Sequence, residues 1–192
     1  MNSMVIFEII LVLCALVSLV LMRRTYFPMN LFWAVGVVSI GIAALLGAFV
    51  YSGFTGLKPY HSLASSYAGS VGITSFAIAA FGGVFSRQFH GAGWWIVLLA
   101  ISSLSAVLLF DVWRLSEDAR YGVVAVLVFA SLYRLYSNLS SGVFLFAGTA
   151  ALVISGLASN WIGTQFGVDP TNIYHGLLSV SVLMFGVFAT KE

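Results

Sequence analysis

Charged side chains are scarce in this chain of 192 residues, where Lys, Arg, Asp and Glu together make up only 7%. Because a soluble domain carries about 25% charged residues, this composition excludes a water-soluble surface. Eight Lys and Arg against six Asp and Glu leave a formal net charge of +2, a basic excess too small to indicate nucleic acid as a partner. Hydrophobic residues make up 61% of the chain. We therefore expect membrane lipid to be its first partner.

Cysteine is almost absent, since Cys14 is the single one in the chain. One cysteine excludes a disulfide within the chain and a metal site built from several thiolates. The first apolar segment also lacks the pattern of a cleaved signal peptide, because Arg23 and Arg24 follow the apolar run instead of preceding it. We expect this segment to remain in the protein as a helix.

Long apolar segments occupy most of the sequence. A membrane-spanning helix needs about 20 mostly apolar residues, and seven segments fit that requirement. They cover residues 4–22, 31–51, 61–85, 94–113, 121–136, 143–162 and 173–190. The fifth is the shortest and carries Arg134 near its end, and both features leave open that it is re-entrant. In that case the chain crosses the membrane six times. The sequence predicts an all-α fold, a polytopic transmembrane bundle of seven helices forming a single integral membrane domain over residues 1–192.

The distribution of Lys and Arg predicts an orientation, since these residues concentrate in cytoplasmic loops. With the N-terminus outside, the cytoplasmic side holds Arg23, Arg24, Arg87, Arg134 and Lys191, and the outer side holds Lys58, Arg114 and Arg120. We therefore expect an outer N-terminus and a cytoplasmic C-terminus. Tryptophan and tyrosine residues, Trp33 among them, stand near the segment ends, as in the aromatic belts at lipid headgroups.

Small residues recur at every fourth position in two of the segments. In the third segment these residues are Ser62, Ser66 and Ser70, next to Ser65 and Gly69, and in the sixth segment they are Ala147, Ala151, Ser155 and Ser159. Small side chains allow helix backbones to approach closely in lipid, where the hydrophobic effect does not drive association. We expect the third segment to be the central helix and to pack closely against the sixth.

Four ionisable side chains lie at similar depth near the outer ends of their segments. They are Glu8, His61, Asp111 and His175. Ionisable residues inside membrane spans are costly and mark functional sites by default. Two histidines with one or two carboxylates are a common ligand set for zinc, which leaves a position for water. These residues are therefore a candidate metal site, although their spacing matches no metal-binding motif.

Two other roles for these residues rank lower. A haem held between His61 and His175 gives no reason for the carboxylates of Glu8 and Asp111. A proton relay or a cation pathway would use the carboxylates, but the sequence places none near the middle of the bilayer.

The seven-segment plan, the outer N-terminus and the histidine in the last segment resemble the alkaline ceramidase and adiponectin-receptor superfamily of membrane hydrolases. The resemblance implies zinc bound inside the bundle, with Asp111 in the place of the family's aspartate and His175 in the place of one of its two terminal histidines. Ser179 stands where the second of those histidines is expected, and the family's early serine and histidine have no clear counterpart. The fragment NIYHGLL is also similar to the last helix of small uncharacterised bacterial membrane proteins of this shape.

Two functions follow from these observations. The loops are short, and the sequence contains no Gly-rich phosphate loop and no Gly-x-Ser-x-Gly elbow. This favours a non-catalytic integral membrane subunit or scaffold that packs laterally against protein, lipid or pigment partners. The alternative is a zinc-dependent membrane hydrolase that acts on a lipid at the outer interface, with the four ionisable residues as metal ligands or general base.

Overall fold

The structure is a computed structural model that describes residues 3–85, 91–109 and 116–191. Within these ranges it is helical and contains no β-strand, which confirms the predicted all-α fold. The helices are α1 (Ser3–Met22), α2 (Met29–Tyr51), α3 (Lys58–Tyr67), α4 (Ile73–Phe85), α5 (Gly91–Leu109), α6 (Glu117–Ser137), α7 (Leu139–Phe166) and α8 (Pro170–Ala189). A π-helical turn, Ala68–Gly72, joins α3 to α4. We call the continuous segment from α3 to α4 the third span.

In the described part of the chain, six helical segments are long and apolar enough to cross a membrane. They are α1, α2, the third span, α6, α7 and α8. The position expected for the fourth crossing is occupied by α5. The segment that the sequence left open as re-entrant forms one continuous helix, α6, of 21 residues.

Local signals explain where the last helix begins. The Asp169 side chain accepts a hydrogen bond of 2.8 Å from the backbone N–H of Thr171, which satisfies one of the free donors at a helix N-terminus. Pro170 follows as the first residue of α8, where its missing N–H costs nothing. The preceding helix α7 ends at Phe166 and is followed by Gly167, whose φ of +65° lies in the left-handed region that glycine adopts without strain.

The main helix neighbours form a ring. Helix α1 packs along α2 and α8, α2 packs along the third span, α4 packs along α6, and α7 packs along α6 and α8. The expectation that the third and sixth predicted segments pack along one another is therefore wrong among the described residues. Helix α7 instead packs closely against α8. At Gly148 of α7, an added Cβ would lie only 2.8 Å from the ring of Phe185 on α8.

The small residues predicted to mediate helix packing are divided between buried and exposed positions. Ser70, Ala151 and Ser155 are buried, Ala147 and Ser159 are half-buried, and Ser62 and Ser66 are exposed. The stripe on α3 therefore does not lie in a helix seam along its whole length.

An aromatic cluster fills the core between α2, α4 and α8. Trp33 is fully buried, with ring centroids 5.7 Å from Phe76, 5.3 Å from Phe185 and 5.7 Å from Phe188. The placement of Trp33 in an interfacial aromatic belt is therefore wrong. Aromatic pairs at these distances add stabilisation beyond the area they bury. The cluster closes the end of the bundle where α8 ends, and Glu8, His61 and His175 lie toward the opposite end.

Candidate functional site

Glu8 is the least expected side chain in the interior. It belongs to the second turn of α1, and only 1% of its surface is exposed. Among the described residues, neither carboxylate oxygen has a hydrogen-bond partner. Burying a carboxylate without compensating hydrogen bonds is costly. A position that stabilises the fold so poorly indicates a functional role for Glu8.

His175 faces Glu8 from the second turn of α8. Its Nε2 atom lies 3.6 Å from Oε1 of Glu8, which is beyond the range of about 2.7–3.2 Å for an N–H···O hydrogen bond. The ring is buried and lies edge-on to Tyr174, with centroids 5.2 Å apart. Its Nδ1 atom has no hydrogen-bond partner among the described residues. Two buried polar groups thus oppose each other without a direct bond.

His61 reaches the same region from the first turn of α3. Its Nδ1 atom lies 3.0 Å from the backbone oxygen of Ala43 on α2. Because a carbonyl oxygen can only accept, Nδ1 must carry the proton of this hydrogen bond. In the neutral ring, Nε2 then keeps its lone pair. A histidine fixed through one nitrogen by a backbone carbonyl is the usual arrangement of a metal ligand.

Gly47 on α2 explains how two of these side chains come close together. A Cβ at this position would overlap Oε1 of Glu8 and would lie 3.1 Å from Cε1 of His61. The carboxylate and the imidazole therefore occupy the space beside bare backbone that any larger residue would fill. The sequence shows Gly47 four residues after Ala43, but this spacing of small residues is also typical of helix packing in membranes.

Glu8, His61 and His175 line one cavity of about 100 Å³. A buried water needs about 10–15 Å³ by this measure, so several waters or a small polar group fit inside. The lining residues are Glu8, Leu11, Ile40, Ala43, Ala44, His61, Ser65, Ala68, Gly69, Ile73, Leu152, Tyr174, His175 and Leu178. Three of the four predicted site residues thus lie together, and the fourth, Asp111, lies outside the described residues.

The distance between Glu8 and His175 is close to that between two ligands of one metal ion. Two ligands bonded to one tetrahedral zinc at about 2.0–2.1 Å lie roughly 3.3 Å apart, close to the 3.6 Å between Glu8 Oε1 and His175 Nε2. These two residues fit a shared metal better than they fit a hydrogen bond. Within the described ranges, no group of three or more His, Cys, Asp or Glu side chains is already close enough to hold a metal ion. A third ligand from the described residues would require movement of His61.

Comparisons with known proteins found no match for this chain among protein-family models, curated proteins or solved structures.

Proposed function

We propose that this chain is a zinc-dependent membrane hydrolase that acts on a lipid at the outer interface. The observation that carries the proposal is the buried Glu8 carboxylate, which lacks hydrogen-bond partners among the described residues and lies 3.6 Å from His175. A scaffold that works by lateral packing gives no reason for this costly group. A metal site does, because the ion would neutralise the carboxylate and bind the nitrogen opposite.

Each residue of the site has a separate role in this proposal. Glu8 and His175 would hold the metal, and a movement of His61 would bring its Nε2 in as the third ligand. In the structure, the Nδ1–H of His61 donates to the Ala43 carbonyl, which leaves Nε2 free for this role. When bound, zinc lowers the pKa of its water toward about 7 and polarises a carbonyl oxygen. The burial of Glu8 and His175 limits competing water around the reacting group.

The proposal includes seven spans, with α5 as the fourth crossing, an outer N-terminus and a cytoplasmic C-terminus. The orientation is supported by cationic residues at or just beyond the ends of α1, α6 and α8, at the end opposite the cavity. The Arg134 guanidinium lies 5.9 Å from the ring of Phe188, and the Lys191 ammonium lies 5.2 Å from the ring of Phe144. The Thr25 hydroxyl, which follows two arginines, donates to the backbone oxygen of Ala189. Such a concentration favours the cytoplasmic side.

Metal analysis of the detergent-purified protein tests the zinc site. We expect about one zinc per chain, lost in His175→Ala and in His61→Ala. Lys58→Ala is the control, since Lys58 starts the same helix as His61 and is absent from the cavity lining. Hydrolysis of lipid esters and amides is then measured for the same proteins. A zinc content unchanged by both histidine substitutions would contradict the proposal.

A second proposal is a non-catalytic subunit or scaffold. Large apolar side chains on α6 and α7 favour it: Phe129 is 72% exposed and Leu157 is 69% exposed. Lipid covers such faces as well as a partner protein does. This observation is therefore weaker than the buried Glu8 carboxylate, which has no hydrogen-bond partner among the described residues. Chemical cross-linking in native membranes tests it. Recovery of the chain in a larger assembly, together with absence of bound metal, would favour the scaffold over the hydrolase.

A further inference from the structure

In the described part of the chain, the bundle is open on one side of its outer half. All residues of α3 are described, and none of them is buried. The described helix α6 has buried residues only from Leu127 onward, although it begins at Glu117. Beyond Ser155, the only buried residue of the described helix α7 is Gly163. The outer halves of the third span, α6 and α7 are therefore not packed against a core, whereas their inner halves are.

The cavity around Glu8 reaches this open side. Its wall includes Ser65, which is exposed, and Gly69, where an added Cβ would meet no described atom within 4 Å. Leu152 of α7 lines the cavity opposite them. Because the third span and α7 are not packed along one another among the described residues, the space between them leads from the cavity to the surface of the bundle.

The depth of this opening indicates what it faces. Gly69 lies at the middle of the membrane-spanning segment Thr55–Gly83. It follows His61 by eight residues, which corresponds to about 12 Å along a helix. Since the hydrocarbon core of a bilayer is about 30 Å thick, the opening meets acyl chains and not bulk water.

The cavity is also polar at one level and apolar at another. Glu8, His61 and His175 lie toward the outer end of their helices, while Ile73, Leu152 and Leu178 lie deeper. A lipid of the outer leaflet has the same order, with its polar linkage near the interface and its chain toward the centre. At the polar level, His175 Nδ1 has no hydrogen-bond partner among the described residues, and an imidazole N–H can donate to the carbonyl oxygen of a lipid linkage.

We propose that the opening between the third span and α7 is a lateral portal through which the polar linkage of an outer-leaflet lipid, with the adjoining part of its acyl chain, enters the cavity. The chain lies along Ile73 and Leu152, and its polar linkage lies beside Glu8, His61 and His175. As a route for substrate, this inference rests on the proposed hydrolase function. The binding of the chain itself can be measured without any turnover.

Photolabelling in nanodiscs tests the portal. The probe is a phosphatidylcholine that carries a diazirine in one acyl chain, and the labelled positions are mapped by mass spectrometry. Leu152 and Leu178 are buried, with 8% and 6% exposure, so their labelling requires a chain inside the cavity. We expect Gly69→Trp to reduce labelling at these two leucines by about tenfold, equivalent to about 1.4 kcal/mol of binding free energy.

Gly122→Trp is the matched control, because a Cβ on Gly122 of α6 also meets no described atom within 4 Å and Gly122 is absent from the cavity lining. Labelling that is unchanged in Gly122→Trp and reduced in both Gly69→Trp and Ser65→Trp supports the portal. Absence of label from the two leucines in the wild-type protein overturns it, as does equal labelling in all variants. If wild-type protein lacks zinc but shows portal-dependent labelling, the hydrolase proposal fails and the portal remains.

Discussion

If Glu8 is a metal ligand, replacing it with Met should raise the stability of the protein without zinc and lower it relative to wild type with zinc. The carboxylate is buried, and among the described residues its two oxygens have no hydrogen-bond partner. A buried polar group left unpaired costs about 1–3 kcal/mol. Met has a similar length and no such cost, so in the presence of a chelator Glu8→Met should raise the free energy of unfolding by about 1–3 kcal/mol.

Saturating zinc should reverse the order of stability. A ligand that binds only the folded protein stabilises it by about 4.1 kcal/mol at a concentration 1,000 times its dissociation constant. The wild-type protein should gain this stabilisation and Glu8→Met should not. The wild-type protein then becomes the more stable of the two. Both effects are measured by denaturant-induced unfolding in detergent, once in the presence of a chelator and once in the presence of zinc.

Glu117→Met is the control for the change of charge. Glu117 is in the first turn of α6, its side chain is 79% exposed, and its carboxylate lies 3.6 Å from the guanidinium of Arg120. Because exposed ion pairs contribute about 0–1 kcal/mol, little change is expected under either condition. The reasoning about Glu8 would be refuted if Glu8→Met lost more than about 1 kcal/mol in chelator, since the carboxylate would then have a stabilising partner. An equal response of wild type and Glu8→Met to zinc would refute its role as a ligand.

Three glycine substitutions test the close approaches in the fold, each by unfolding in detergent. Gly47→Ala should lower the free energy of unfolding by about 1–3 kcal/mol, as overpacking does, and should also reduce zinc content, because its Cβ overlaps the carboxylate of Glu8. Gly186→Ala should cost a similar amount, about 1–3 kcal/mol, since its Cβ would lie 2.8 Å from the hydroxyl of Ser18, which donates to the α8 backbone. Gly167→Ala should cost about 1 kcal/mol, because φ is +65° and a Cβ strains that conformation. A stabilising effect of any of the three would contradict the geometry at that position.

The helical fold and the level of the site could be predicted from the sequence because both depend on position along the chain. Apolar length predicts a helix, and the distance of a residue from the end of its segment predicts its depth. Glu8 is the sixth residue of α1, and His175 is the sixth residue of α8. Because the two helices start at the same end of the bundle, these side chains lie at the same depth. Packing partners depend instead on the arrangement of the helices around the bundle. Trp33 stands near a segment end like an interfacial residue, but α2, α4 and α8 enclose it.

The third span shows why a stripe of small residues has two meanings. Ser62, Ser66 and Ser70 share one side of the helix, while His61, Ser65 and Gly69, one residue earlier, share another side about 100° away. The second set lines the cavity, and the first set starts on an exposed surface. A small side chain allows close approach of a helix or leaves space for a ligand, and spacing alone does not distinguish these outcomes. What distinguishes them here is the buried carboxylate of Glu8, which lies beside the second set and makes the space there a candidate site.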